Sequence, residues 1–199
     1  LGILGSFFFV TAAIVAKQPI ISKDLLDKHV IIRTLGDLFG ALFFVSAIVL
    51  TPLSSASAIL QGTPLAVTAG AAIFLRETVG LRRWLAVLIG FIGIILIIKP
   101  GVADFSPFSL LAVAAVICLS ARDLATRAMS VALPTITISI YAFVALALAG
   151  VLAIPFYGSF VSPGLSECAL FMVGISSGVV AYYLIVGATR YGDASLIAP

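Results

Sequence analysis

The chain has 199 residues, 62% of them hydrophobic and 10% charged, with a mean hydropathy of +1.29 and a net charge of +3. A water-soluble domain carries about 25% charged residues, so this composition excludes a protein whose whole surface faces water. The basic excess sits in short stretches between apolar runs, which fits membrane topology better than a nucleic-acid footprint.

A membrane-spanning helix needs about 20 mostly apolar residues. In chain order the expected spans are 1–16, 34–53, 54–75, 81–98, 105–121, 134–157 and 168–189, and an eighth begins at Ala194. The first run has no basic segment before it and does not read as a signal peptide. The second and third abut at Pro52-Leu53-Ser54-Ser55, which requires a tight turn. No run alternates with period two, so the expected fold class is an all-α polytopic membrane protein and not a barrel. Cys118 and Cys168 both fall in apolar runs and form no disulfide framework. The chain reads as part of a longer protein, with one span expected upstream and the rest of the eighth plus one more downstream.

Loop charges orient the spans. One side receives Lys17, Lys23, Lys28 and Arg33, then Arg76, Arg82 and Arg83, then Arg122 and Arg127, then Arg190; the other receives Lys99 alone. The first side is therefore expected to be cytoplasmic.

An internal repeat is visible when the second span is laid on the seventh. At an offset of 138, Gly36 and Gly40 fall on Gly174 and Gly178, Thr51 on Thr189, and Ala56-Ser57 on Ala194-Ser195. The two spans cross in opposite directions, so the repeat is inverted, as in secondary transporters. The same offset pairs the first span with the sixth. It implies ten spans in two halves of five.

Several motifs carry chemistry or packing. The two Gly pairs are GxxxG patterns, read as close helix packing within the bundle. Gly174-Ile175-Ser176-Ser177-Gly178 matches a nucleophile elbow, but that chemistry needs a strand-to-helix turn and a His base. The only histidine, His29, is expected in a cytoplasmic loop. No P-loop, HExxH or metal-ligand cluster occurs, and no cofactor is expected. Gln61, Thr63 and Pro64 lie near the middle of the third span. There a broken helix would expose polar groups to a solute, the alternative being a kink with a satisfied Gln. Ser176, Ser177, Tyr182 and Tyr183 put polar groups in the seventh, and on a helix at most one of the two tyrosines faces a given cavity. Arg33 and Asp37 are spaced i, i+4, as are Asp123 and Arg127. Lying near cytoplasmic ends, with Arg122 and Glu77, they are read as loop pairs or snorkelling side chains, or as an inner gate. Glu77 is expected to pair with Arg82 or Arg83 or to cap the next helix. No carboxylate is expected at midplane.

The stretch Ala47–Gly101 resembles the drug/metabolite transporter superfamily, EamA branch. The resemblance runs through Ala47-Ile48, Pro52-Leu53, Ala56-Ser57 and Pro64, then Phe74-Leu75-Arg76-Glu77 and Leu81-Arg82-Arg83-Trp84. It continues in Gly90-Phe91-Ile92-Gly93 and Lys99-Pro100-Gly101, and reappears at Ala188-Thr189-Arg190, Ala194-Ser195 and Ala198-Pro199. Arg76 departs from the pattern, which usually has a small residue there. The resemblance implies ten helices in two inverted repeats around a central cavity, and a prokaryotic inner membrane. It divides the chain into residues 1–101, a first repeat lacking its first helix, and 102–199, a second repeat truncated at its C-terminal end. The implied function is alternating-access transport, with export the expected direction, of a small polar metabolite such as an amino acid, or of a drug. Proton or counter-solute coupling stays open. The partners implied are that solute and the lipid bilayer, with no nucleic acid. A membrane-embedded enzyme and a non-transporting scaffold are the alternatives.

Overall fold

The computed structural model of the protein describes residues 2–98, 106–129, 133–157 and 164–191. Its helices are α1 (Gly2–Val15), α2 (Lys28–Leu50), α3 (Leu53–Leu60), α4 (Thr63–Phe74), α5 (Leu81–Ile98), α6 (Ser109–Ala128), α7 (Thr135–Tyr157) and α8 (Leu165–Tyr191). Among the described residues there is no strand, so the polar backbone is satisfied within helices, as lipid demands. Among the described residues six segments are long and apolar enough to cross a membrane: α2, α3 with α4, α5, α6, α7 and α8. At 14 residues, α1 is shorter than a full span. The eighth span from Ala194, the Lys99-Pro100-Gly101 motif and the Arg190 side chain lie outside the described residues.

Two boundaries differ from the sequence expectation in the same way. α2 starts at Lys28 and not at 34, so His29 occupies its first turn and not a loop. Asp27 starts the helix as N-cap, its carboxylate accepting the His29 backbone N–H at 2.8 Å. α6 runs on to Ala128, past the expected end at 121, and so carries Arg122, Asp123 and Arg127 on the helix. In both places hydropathy drops where charges begin, but the charges neutralise one another across the bundle and the helix continues.

The third span is two helices. Gln61 and Gly62 separate α3 from α4, and the Leu60 carbonyl accepts the Thr63 hydroxyl at 2.7 Å. Pro64, in the first turn of α4, needs no backbone donor there. The α2–α3 link is Thr51-Pro52, tight as expected, with the Thr51 backbone N–H and hydroxyl both donated to the Ala47 carbonyl.

α2 packs between α6 and α7. Gly36 and Gly40 permit the approach to α6: a Cβ on Gly36 would lie 2.7 Å from the Cys118 carbonyl oxygen, and one on Gly40 2.7 Å from Leu119 Cδ2. A Cβ on Gly174 would meet open space, so that glycine is not needed for close packing as Gly36 and Gly40 are. One apolar core joins α1, α7 and α8 through Phe9, Ala13, Ile140, Phe143 and Val179. Another joins α2, α3 and α6 through Ala47, Ala56, Ile59, Ala112 and Val116.

The basic connections gather at one end. The α1–α2 loop is strapped to the start of α7, where Thr137 donates to the Pro19 carbonyl at 2.7 Å and Tyr141 to the Ile20 carbonyl at 3.0 Å. The α4–α5 loop joins the end of α6 through Arg127 and Glu77, 3.0 Å apart. Val30, Leu133 and Ile138 pack together where the start of α2 meets the start of α7.

Candidate functional site

α2, α6, α7 and α8 meet around a cavity of about 230 Å³. Its walls are apolar, with Phe44, Leu119, Phe143 and Leu146, and its polar end is made by Asp37, Arg122 and Tyr182. A larger apolar cavity of about 600 Å³ between α1, α2 and α7 adjoins it at Ala41 and Leu146.

The polar end is a closed ion network. Arg33 is 1% exposed and lies in the second turn of α2, where it bonds to residues of α6, α7 and α8. It donates from Nε to the Thr126 hydroxyl at 3.0 Å, from Nη2 to the Tyr182 hydroxyl at 2.7 Å, and from Nη1 to Asp37 and the Ile138 carbonyl, both at 3.4 Å. The Arg33 guanidinium also sits 5.9 Å from the Tyr182 ring centre. Tyr182 in turn donates to Asp37 Oδ2 at 3.1 Å. Arg122 reaches Asp37 Oδ1 at 3.3 Å and holds Asp123 through Nε at 2.8 Å. Two guanidinium groups thus face two carboxylates, and the cluster is neutral, the condition under which burial of charge is tolerated.

The expected i, i+4 pair Arg33–Asp37 exists, but it is buried in the bundle and not a snorkelling or loop pair. The second expected pair does not form: Asp123 turns to Arg122, and Arg127 crosses to Glu77. Glu77 accordingly pairs with Arg127. Asp37 is the tenth of the 23 residues of α2 and is buried in the bundle.

The two tyrosines part as helix geometry requires. Tyr182 lines the cavity and packs edge-on against Phe143, with ring centres 5.3 Å apart. Tyr183 is exposed and stacks toward Phe9 on another face. Ser176 and Ser177 are exposed, and their hydroxyls turn back on their own helix, to the Met172 and Val173 carbonyls. Gln61 is exposed at the α3–α4 break, while Thr63 and Pro64 are half-buried. The hydroxyls of Ser176, Ser177 and Thr63 bond to carbonyls of their own segments and not to the ion network. Sequence reasoning did not find Thr126, whose only signal is its place one turn beyond Arg122.

No metal-ligating cluster occurs among the described residues. The elbow-like Gly174–Gly178 stretch is plain helix, and the His29 ring rests on Asp27 at 3.0 Å.

Residues 2–99 match the EamA-like transporter family. The chain is 29% identical over 169 residues to an S-adenosylmethionine uptake transporter of Rickettsia bellii, covering 85% of this chain and 57% of that protein. It is 39% identical over 79 residues to a riboflavin transporter of Vibrio cholerae, covering 40% of this chain and 26% of that protein. A riboflavin transporter of Rhizobium johnstonii is 29% identical over 161 residues, covering 80% and 53%. The chain therefore spans little more than half the length of the Rickettsia and Rhizobium relatives. No solved structure matches it significantly. With six segments among the described residues long and apolar enough to cross a membrane, this is a multi-pass protein of the inner-membrane type. The chain belongs to the EamA-like transporter family, which is a family of transporters and not of enzymes.

Proposed function

We propose that this chain is the larger part of a secondary transporter that carries a small polar metabolite through the cavity between α2, α6, α7 and α8. The observation that carries the reading is the cavity itself: apolar walls ending on a neutral set of charges, two of them buried, in a family whose named relatives move S-adenosylmethionine and riboflavin. In this reading the ion network of Arg33, Asp37, Arg122 and Asp123 is the inner gate, and Arg127–Glu77 ties the adjacent loop. Gln61, Thr63 and Pro64 belong to the solute path at the broken span. The relatives from Rickettsia are named for uptake, which favours that direction over the export expected from sequence.

Alternating access between two inverted five-helix halves, residues 1–101 and 102–199 with their missing helices, is part of the proposal. The offset of 138 pairs Gly40 with Gly178 and Phe44 with Tyr182, and all four line this one cavity. α1 packs on α7, its partner under the same offset, through Gly5 against Phe143. Both facts favour a two-fold relation between α2 and α8.

The test is flux into and out of vesicles holding the full natural chain, with S-adenosylmethionine, riboflavin and a panel of amino acids. Faster movement of at least one solute than in empty vesicles is expected, with Gln61→Ala lowering it at unchanged protein abundance. Movement no faster than in empty vesicles for every solute sinks the reading in favour of a scaffold.

A further inference from the structure

The two arginines of the network are held differently. Arg33 is sealed, and each of its three nitrogens donates to a partner. Arg122 lines the cavity with a side chain 19% exposed. Its bond to Asp123 is 2.8 Å, within the short range of charge-assisted bonds, but its contact with Asp37 is 3.3 Å. The Asp37 contact is therefore the one that an incoming group can replace at least cost.

We propose that Arg122 recognises the carboxylate of a small solute with an apolar body, which displaces Asp37 from the guanidinium, and that Asp37 takes up a proton in the same exchange. This rests on the cavity being the solute site of the proposed transporter. The body would lie against Phe44, Leu119, Phe143 and Leu146, and the volume of about 230 Å³ holds a ring and a short chain. A guanidinium offers a planar carboxylate two parallel donors, which a single 3.3 Å contact leaves unused.

Charge balance supplies the proton. The cluster now holds two cations and two anions. A third carboxylate would leave one buried negative charge without a partner, which is costly in a low-dielectric site. The groups facing Asp37 decide where that cost is relieved. From α2 comes Arg33, from α6 Arg122 with Asp123 behind it, and from α8 the Tyr182 hydroxyl, which donates to Oδ2. From α7 come only apolar side chains at the cavity and the Ile138 carbonyl bound to Arg33. Asp123 keeps its short bond to Arg122. The proton therefore comes from water and lands on Asp37 Oδ1, the atom that Arg122 releases. Solute binding also removes a tie between α2 and α6, so occupancy and release of the proposed gate are one event.

The test measures binding to the purified full chain in nanodiscs, with 3-phenylpropionate, its amide and inorganic phosphate as probes. The acid is expected to bind at least about tenfold more tightly than the amide, and phosphate, which has no apolar body, more weakly than the acid. Uptake of one proton makes the dissociation constant of the acid rise about tenfold per pH unit around neutrality. In Asp37→Asn, which keeps the shape and needs no proton, the acid is expected to bind with no pH slope. In Arg122→Lys the slope stays and affinity falls about tenfold, as a point charge replaces the fork. Equal binding of acid and amide, no binding of the acid, or a slope that survives Asp37→Asn overturns the proposal. Should Arg122→Lys fail to fold, the Asp37→Asn slope decides alone. Acid binding with no flux of any solute would sink the transporter reading and leave this site standing. Flux of other solutes with no acid binding would do the reverse.

Discussion

Arg33 carries a full charge into the bundle and has a partner for every nitrogen. Replacing it with Ala leaves Asp37, Thr126 and the Ile138 carbonyl short of a donor in a dry site. We expect Arg33→Ala to destabilise the protein by about 3–5 kcal/mol, the usual cost of breaking a buried pair on one side. Thermal unfolding in detergent checks it, and an unchanged midpoint would mean that the network is wet. Tyr182→Phe keeps the ring on Phe143 and loses the hydroxyl bonds to Arg33 and Asp37, for an expected cost of about 1 kcal/mol. Tyr183→Phe, on the exposed face, is the matched control and should cost nothing measurable. The network was only half legible in the sequence. The spacing of Arg33 and Asp37 marks a helical pair, but their other partners lie 85 to 149 positions away. No local pattern links an arginine on α2 to a tyrosine on α8.

Among the elements, α2 depends most on its small residues and its cap. Gly36→Val would drive a branched side chain into the Cys118 carbonyl and the Arg122 side chain, so we expect loss of the folded fraction on size-exclusion. Gly174→Ala meets open space and should elute like the parent. The cap is pH-sensitive. The carboxyl of Asp27 is held below its ordinary value of 3.8, first because it accepts the His29 backbone N–H. A lowered value in the folded state means that the cap contributes fully above the unfolded value and fades as acid protonates the folded carboxylate. Hydrogen exchange at the start of α2 should therefore rise only in acid for the parent. It should rise at neutral pH for Asp27→Ala and much less for Asp27→Asn, which still accepts the bond. The span positions were legible because apolar length is a local property. The ends of α2 and α6 were not, because a hydropathy window counts Arg33 and Arg122 as exposed charges when their partners are out of sight.

At the scale of the whole molecule, charge is polarised. The α1–α2 loop, the α4–α5 loop and the end of α6 meet at one end through Thr137–Pro19, Tyr141–Ile20 and Arg127–Glu77. That is the clustering which loop charges lead one to expect of a cytoplasmic face. Single cysteines placed at Ser22 and Thr78, with Cys118 and Cys168 replaced, should react with a membrane-impermeant thiol reagent only from the cytoplasmic side. Labelling of either from outside would invert the topology. The buried charges belong to the same half: under the 138 offset Asp37 corresponds to Ile175, so the other arm of the proposed repeat has no matching carboxylate.

The gap at Gln61-Gly62 divides one crossing into rods of 8 and 12 residues. A continuous helix behaves as a stiff lever, and a push at one end arrives at the other. A jointed one does not. α4 bears on α6, with Gly70 against Leu124, while α3 bears on the Ala47 and Ala112 core. Both rods rest on α6, so under the proposed cycle a tilt of the inner rod would be taken up at the joint and leave the outer rod seated. In the proposed transport cycle this joint would let the near side yield while the far side stays shut, with no signal needed between the two faces.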